Sequence, residues 1–194
     1  MKLVIASNNK GKIREIKEMI GQHFDDVLSL REAGIDLDVV EDGKTFLENA
    51  RKKAHEALRL LPDCAVLADD SGLEVDALGG APGVYSARYA GDGHDDAANN
   101  AKLLEALSDV PEEKRTADFA CAMVLSRKGM DDIESVGRVY GTILREPQGE
   151  NGFGYDPLFY YPEFGCTFAQ ASQEQKNSVS HRKNALSGIF EKLG

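Results

Sequence analysis

Apolar positions along the chain alternate between short strand-like runs and stretches with helical spacing. Leu3, Val4 and Ile5 predict a first strand over residues 2–7. Ile13, Ile16 and Ile20 then recur at helical spacing with Lys and Glu between them, which predicts an amphipathic helix. Val27 to Leu30 predicts a short strand, and residues 31–40 predict no regular element. Phe46, Leu47, Ala50, Ala54, Ala57, Leu58 and Leu61 predict the buried stripe of a long helix. Thr45 with Glu48 fits a capping box at its start, and Pro62 lies just beyond its end. Cys64 to Leu67 predicts a buried strand that ends in Asp69-Asp70-Ser71-Gly72. Those four residues favour turns, so the pattern reads either as a surface turn or as acids delivered at a sheet edge.

The second half follows the same logic. Gly79-Gly80-Ala81-Pro82-Gly83 excludes a regular element. Residues 95–107 predict a helix capped by Asp95, with Ala101, Leu104 and Leu107 on one face. Residues 117–126 and 133–144, linked through Lys128-Gly129, predict an antiparallel hairpin. Leu158 to Tyr161 predicts a strand, and a last helix after Ser180 carries Ala185, Ile189 and Phe190. Helices among strands in the first half and a hairpin in the second predict an α/β fold with a mixed sheet. The 194 residues fit one domain or a single two-lobed unit, without an interdomain linker or internal repeat.

Charge narrows the partners. The formal net charge of -10 disfavours polymeric nucleic acid, which needs a broad basic face. A small anion held by a local basic cluster or through a metal ion stays compatible with it. No apolar run approaches the ~20 residues of a membrane helix, so no membrane association is expected. The first residues pass from a short apolar stretch straight into polar ones, so no secretory signal is expected either. Cys64, Cys121 and Cys166 form no Cys-x-x-Cys pair, which predicts reduced thiols in a cytoplasmic protein. Cys64 and Cys121 read as small core residues, and His55 as a solvent-facing helix residue.

Four places carry candidate chemistry. Ser7-Asn8-Asn9-Lys10-Gly11-Lys12 joins a strand to a helix N-terminus, where free N–H groups and the helix dipole favour an anion. The spacing is not that of a Walker A loop, and a solvated loop with surface lysines is the alternative. Asp69 and Asp70 are adjacent, so in extended chain they point to opposite sides. Glu41 precedes the long helix, where its carboxylate either reaches a site or favours the helix start. Phe153-Gly154-Tyr155-Asp156-Pro157 suits stacking on a flat ring or, equally, aromatics packed under a loop. His181 and Arg182 occupy the first turn of the last helix, where cations are disfavoured unless an anion or polar ligand compensates. Together with Lys176, this set suits a nucleoside polyphosphate with Mg²⁺ held by carboxylates and phosphates.

The chain resembles the inosine/xanthosine triphosphate pyrophosphatase family. The matching stretches are Ser7 to Lys12, Thr45-Phe46 with Asn49-Ala50, Ala68 to Leu73, Leu78 to Tyr89, Gly152 to Pro157, and Lys176-Asn177 with Ser180-His181-Arg182, in family order over nearly the whole chain. The resemblance implies an elongated α/β protein with a mixed sheet, two lobes and an active-site cleft between them. It implies a homodimer that hydrolyses deaminated purine nucleoside triphosphates (ITP, dITP, XTP) to monophosphate and pyrophosphate with Mg²⁺. By matching position it makes Asp70 the proton acceptor and a metal ligand, and Glu41 the second metal ligand. Ser7, Asn8, Asn9, Lys10, Gly11 and Lys12 bind the triphosphate, and Ser71 contacts substrate. Phe153, Gly154, Tyr155, Asp156 and Lys176 line the nucleotide site, and His181 and Arg182 read the base. Two departures stand out: Val40 precedes Glu41 where relatives often have two acids in a row, and Ser172-Gln173-Glu174-Gln175 replaces the usual Thr-x-Glu-Glu. The rival readings are a phosphatase with an Asp nucleophile, although the Asp-x-Asp spacing is absent, and a nucleotide-binding sensor without turnover.

Overall fold

The computed structural model of the chain describes residues 2–20 and 23–194. Among the described residues seven strands form one sheet: β1 (Lys2–Ile5), β2 (Asp26–Ser29), β3 (Ala65–Val75), β4 (Thr116–Ser126), β5 (Ile133–Ile143), β6 (Phe159–Tyr161) and β7 (Cys166–Thr167). Their order is β2-β1-β3-β4-β5-β6-β7. β1 runs parallel to β2 and β3, with Leu3 opposite Ala65 and Ile5 opposite Leu67, whereas β5, β6 and β7 pair antiparallel. The sheet is therefore mixed. The helices are α1 (Lys10–Ile20), α2 (Phe46–Leu60), α3 (Asp96–Ala106), α4 (Gln173–Val179) and α5 (His181–Leu193). Among the described residues no helix is long and apolar enough to cross a membrane.

Two compact units share the chain. The first comprises Met1–Asp70, Cys121–Gly137 and His181–Gly194. Its core places Leu3, Ile5, Leu67, Met123 and Leu125 of the sheet against Ile16 and Ile20 of α1 and Ala185 and Ile189 of α5. The glycine at 137 admits α5, because a Cβ there would collide with the backbone of His181 and Ala185. The second unit comprises Ser71–Ala120 and Arg138–Ser180. Leu73, Val75, Leu103, Leu107, Phe119 and Phe159 build its core, with the Phe119 and Phe159 rings 4.6 Å apart.

Local signals hold where the partners are local. Thr45 accepts from the Glu48 backbone, Glu48 reaches back to the Thr45 N–H, and both halves of the capping box are made. Asp95 caps α3 through the N–H groups of Ala97 and Ala98. The face of α3 differs from expectation: Asn99, Leu103 and Leu107 point inward at four-residue spacing, while Ala101 is exposed. On α2, Leu47, Leu58 and Leu61 are only partly buried, and two polar residues, Asn49 and Lys53, take core positions beside Ala50 and Ala54. Residues 173–179, with no apolar stripe, nonetheless form α4, started by a second capping box between Ser172 and Gln175. The departure at Gln175 therefore has a local job that its amide performs.

The largest correction concerns Asp69-Asp70-Ser71-Gly72. These residues neither turn nor end a strand; β3 runs straight through them for 11 residues. Turn preference is a weak local term, and burial with specific partners on both faces overrides it here. Gly72 allows the passage, because a Cβ there would sit 2.5 Å from the Gly83 carbonyl oxygen and 2.9 Å from Ser86 Cβ.

Candidate active site

As expected of extended chain, the two aspartates diverge. Asp69 faces α1 and α5. Its Oδ2 lies 3.2 Å from Lys12 Nζ and 3.5 Å from Arg182 Nε, and its side chain is fully buried. Arg182, itself 1% exposed, also pairs with Glu15 of α1. Two acids and two cations thus balance in the interior, which is how buried charges are tolerated. Burial pushes the Asp69 carboxyl up, but Lys12, Arg182 and Lys53 outweigh it and hold the group at about 2. Burial pushes the Arg182 guanidinium down, and Glu15 and Asp69 outweigh that, so it stays above its ordinary range. Cys121 Sγ, 4.0 Å from Asp69 Oδ2, is pushed up by burial and by that carboxylate, which leaves an inert core thiol.

This quartet makes a stability prediction. A folded-state value of about 2 against 3.8 means that ionised Asp69 stabilises the fold above about pH 4 and ceases to as pH falls towards 2. Asp69→Asn is expected to cost ~2 kcal/mol at neutral pH and to flatten the acid limb of the stability curve between those values. Urea melts at pH 2.5, 4 and 7 check this; the same acid limb in both proteins would refute it.

Asp70 faces α2. Asn49 Nδ2 donates to its Oδ2 at 2.9 Å, and Lys53 Nζ sits 3.7 Å from its Oδ1. The same ammonium lies 2.6 Å from Glu41 Oε1. Burial raises the Asp70 carboxyl above its ordinary value, with Lys53 and Lys12 opposing. Burial lowers Lys53, but Asp70, Asp69 and Glu41 outweigh it, and the lysine remains a cation. One ammonium therefore occupies a position that two carboxylates address. This is a cation locus made of hard oxygen donors, and Lys12 of α1 acts on its Asp70 carboxyl.

That helix start is built by Asn9. Its Oδ1 accepts from the Lys12 N–H at 3.1 Å, its carbonyl takes the Ile13 N–H, and Ser7 Oγ takes the Asn9 N–H at 3.2 Å. Lys10, Gly11 and Lys12 belong to the first turn of α1 rather than to a loop, so their N–H groups lie at the positive helix end. Asn8 ties the region to the segment before Glu41, donating to the Leu37 carbonyl at 2.9 Å.

In the second unit Asp156 organises another polar group. Its Oδ2 accepts from the Phe153 N–H at 2.9 Å and from Lys176 Nζ at 2.6 Å, and both charged side chains are 3% exposed. Lys176 Nζ lies 4.7 Å from the centre of the Phe153 ring. Gly152 at φ +77° leaves the space that the Asp156 carboxylate fills. Tyr155 settles one open alternative: it is 4% exposed and donates to the Ser86 carbonyl at 2.8 Å, so it packs under the loop. Phe153 stays half-buried above Lys176.

The model of the Ham1 family matches residues 3–192. The chain belongs to the Ham1 family. It is 50% identical to the dITP/XTP pyrophosphatase of Clostridium perfringens over 99% of this chain and 97% of that protein. It is 52% identical to the dITP/XTP pyrophosphatase of Desulforamulus reducens, over 100% and 96%. The Ham1 protein of Staphylococcus aureus superposes with a TM-score of 0.86 at 46% identity, covering 99% of this chain and 98% of that one. A HAM1 protein from Coxiella burnetii gives 0.88 at 39% identity, covering 100% and 98%.

Within this Ham1 fold the expected residues gather in three places. Lys12, Arg182 and the start of α1 meet Asp69; Glu41 shares the ammonium of Lys53 with Asp70; Phe153, Asp156 and Lys176 meet one another. Ser71 follows Asp70 in β3 and is half-buried, and His181, 4% exposed, opens α5. Contrary to expectation, Arg182 needs no ligand to offset its place at a helix start, because Glu15 and Asp69 supply the negative charge from within the protein. Three polar residues were missed by the pattern: Glu15, Asn49 and Lys53. The available signal was spacing, since Asn49 and Lys53 continue the stripe of Phe46, Ala50 and Ala54. His55 is exposed as expected and pairs with Asp132, while Cys64 is half-buried rather than core.

Proposed function

We propose that this Ham1 protein hydrolyses deaminated purine nucleoside triphosphates (ITP, dITP and XTP) to the monophosphate and pyrophosphate, cleansing the nucleotide pool. The observation that carries this reading is the cation locus. Asp70 and Glu41 turn oxygens toward one ammonium, and Lys12 in the first turn of α1 is near enough for its charge to act on the Asp70 carboxyl. Among the described residues no group of three or more His, Cys, Asp or Glu side chains is set to enclose a metal. Two carboxylates completed by phosphate oxygens and water are the donor set that Mg²⁺ favours, so the residues fit that ion. Bound to Asp70 and Glu41, it would neutralise phosphate charge and polarise the phosphorus under attack.

The chain's own residues do the rest. The N–H groups of Lys10 and Gly11 and the Lys12 ammonium receive phosphate oxygens, with Ser7, Asn8 and Asn9 shaping the turn. Asp70 orients the attacking water and accepts its proton; burial keeps that carboxyl above its ordinary value, which suits a base. Ser71, Phe153, Gly154, Asp156 and Lys176 are the proposed nucleotide contacts, and Tyr155, packed under the loop against the Ser86 carbonyl, supports that loop from behind. Asp156 fixes Lys176, and Phe153 offers a ring face. His181 and Arg182 are the proposed base readers, with Glu15 and Asp69 holding the guanidinium. A 6-oxo base offers an acceptor where adenine offers a donor, and a mismatched buried polar contact discriminates by ~10⁴-fold. The resemblance also carries the proposals of one functional unit over residues 1–194, a homodimer and a cytoplasmic location.

Turnover of ITP, dITP and XTP against ATP and GTP with Mg²⁺ tests the substrate class; equal kcat/KM across all five would refute it. Lys12→Ala is expected to raise KM by ~10-fold for ITP and XTP alike, because phosphate contacts carry no base information. A changed ITP:GTP ratio at constant KM would place Lys12 near the base instead.

A further inference from the structure

We infer that Asn49 is a positioning residue for the cation locus: it turns Asp70 so that one carboxylate oxygen faces the locus, and it anchors the segment that carries Glu41. This deepens the reading of Asp70 and Glu41 given above and rests on it.

Asn49 is 1% exposed on α2, and both ends of its amide are engaged. Oδ1 accepts from the Gly43 N–H at 2.8 Å, and Nδ2 donates to Asp70 Oδ2 at 2.9 Å. A backbone N–H only donates and an ionised carboxylate only accepts, so these partners fix which way the amide points. With Oδ2 held by Asn49, Oδ1 is the Asp70 oxygen turned to Lys53 Nζ, which Glu41 Oε1 also meets. The second anchor works through Gly43, two residues after Glu41. A Cβ at Gly43 would lie 2.5 Å from Asn49 Oδ1 and 2.9 Å from Glu48 Cβ, so only glycine lets the segment approach this closely. One side chain therefore touches one candidate ligand directly and holds the backbone two residues beyond the other. Leucine has a similar size and would fill the same space on α2, but it would release both the Asp70 carboxylate and the Gly43 N–H. Such outer partners of a metal ligand are worth 10- to 100-fold in metal affinity.

The test uses Mn²⁺ as the probe, titrated into nucleotide-free protein and followed by electron paramagnetic resonance, alongside circular dichroism for the fold. Asn49→Leu is expected to weaken Mn²⁺ binding by ~10- to 100-fold with wild-type helicity, and excess metal should restore much of kcat. Gly43→Ala attacks the same contact from the other side while leaving the amide in place, and is expected to weaken Mn²⁺ binding in the same direction. Wild-type Mn²⁺ affinity in a folded Asn49→Leu, or in Gly43→Ala alone should Asn49→Leu not fold, overturns the role of Asn49. Wild-type protein whose Mn²⁺ binding survives Asp70→Asn unchanged overturns the locus itself and the positioning role with it.

Discussion

Asp70→Asn is expected to lower kcat by ~10²- to 10⁴-fold while the protein stays folded. An amide cannot take the proton from an attacking water, and it is a poor ligand for a hard cation. The stability side follows from the same carboxyl. Burial raises it above its ordinary value, with Lys53 and Lys12 opposing. A carboxyl that is harder to ionise when folded than when unfolded weakens the fold as pH rises from its unfolded value through its folded one, and at neutral pH it is a burden. Replacing it by a neutral amide, whose carbonyl still accepts from Asn49, should leave Tm unchanged or raise it. Lys53 keeps its 2.6 Å contact with Glu41. Function and stability would then separate at one residue, as they do where a site is held under strain. Calorimetry beside a turnover assay checks both halves; near wild-type kcat, or a collapse in Tm, would remove Asp70 from its assigned place.

Arg182→Ala is expected to have the largest effect on stability. The guanidinium is 1% exposed and lies between Glu15, 0% exposed, and Asp69, 1% exposed. Its loss leaves Glu15 without that cation and Asp69 with Lys12 at 3.2 Å as its nearest remaining one. Removing one partner of a buried pair costs ~3–5 kcal/mol because the other charge stays buried. For a chain of this size that corresponds to a Tm lower by roughly 6–20 °C. Arg182→Lys should recover part of it, since the charge returns without the planar fork. Below the melting range, Arg182→Ala should also lower the ITP:ATP ratio of kcat/KM, the sign of a base reader. A Tm within a degree or two of wild type would show that the quartet contributes little to the fold.

These two sites also show what can be read from a sequence and what cannot. Caps at Thr45, Glu48 and Asp95 were legible because donor and acceptor lie within three residues of each other. The opposed directions of Asp69 and Asp70 were legible because strand geometry alone imposes them. The extended course of residues 69–72 was not. Its cause is a set of partners from Lys12 to Arg182, and no local pattern announces contacts at such separations. Lys53 was hidden for a related reason: a lysine on a helix normally faces water, and here Glu41 and Asp70 draw it inward. The helix at residues 173–179 escaped because only Lys176 is buried there, which leaves no apolar stripe to see. Arg182 marks the difference between matching a motif and having a physical reason for it. It stands in the first turn of α5, and Glu15 and Asp69, rather than a ligand, offset its charge there.

The most direct test of pyrophosphate release is ³¹P nuclear magnetic resonance of XTP turnover with Mg²⁺ in ¹⁸O-labelled water. Attack at the α-phosphorus should give xanthosine monophosphate and pyrophosphate in equal amounts, with the label in the monophosphate. Orthophosphate with xanthosine diphosphate, or no turnover at all, would contradict it.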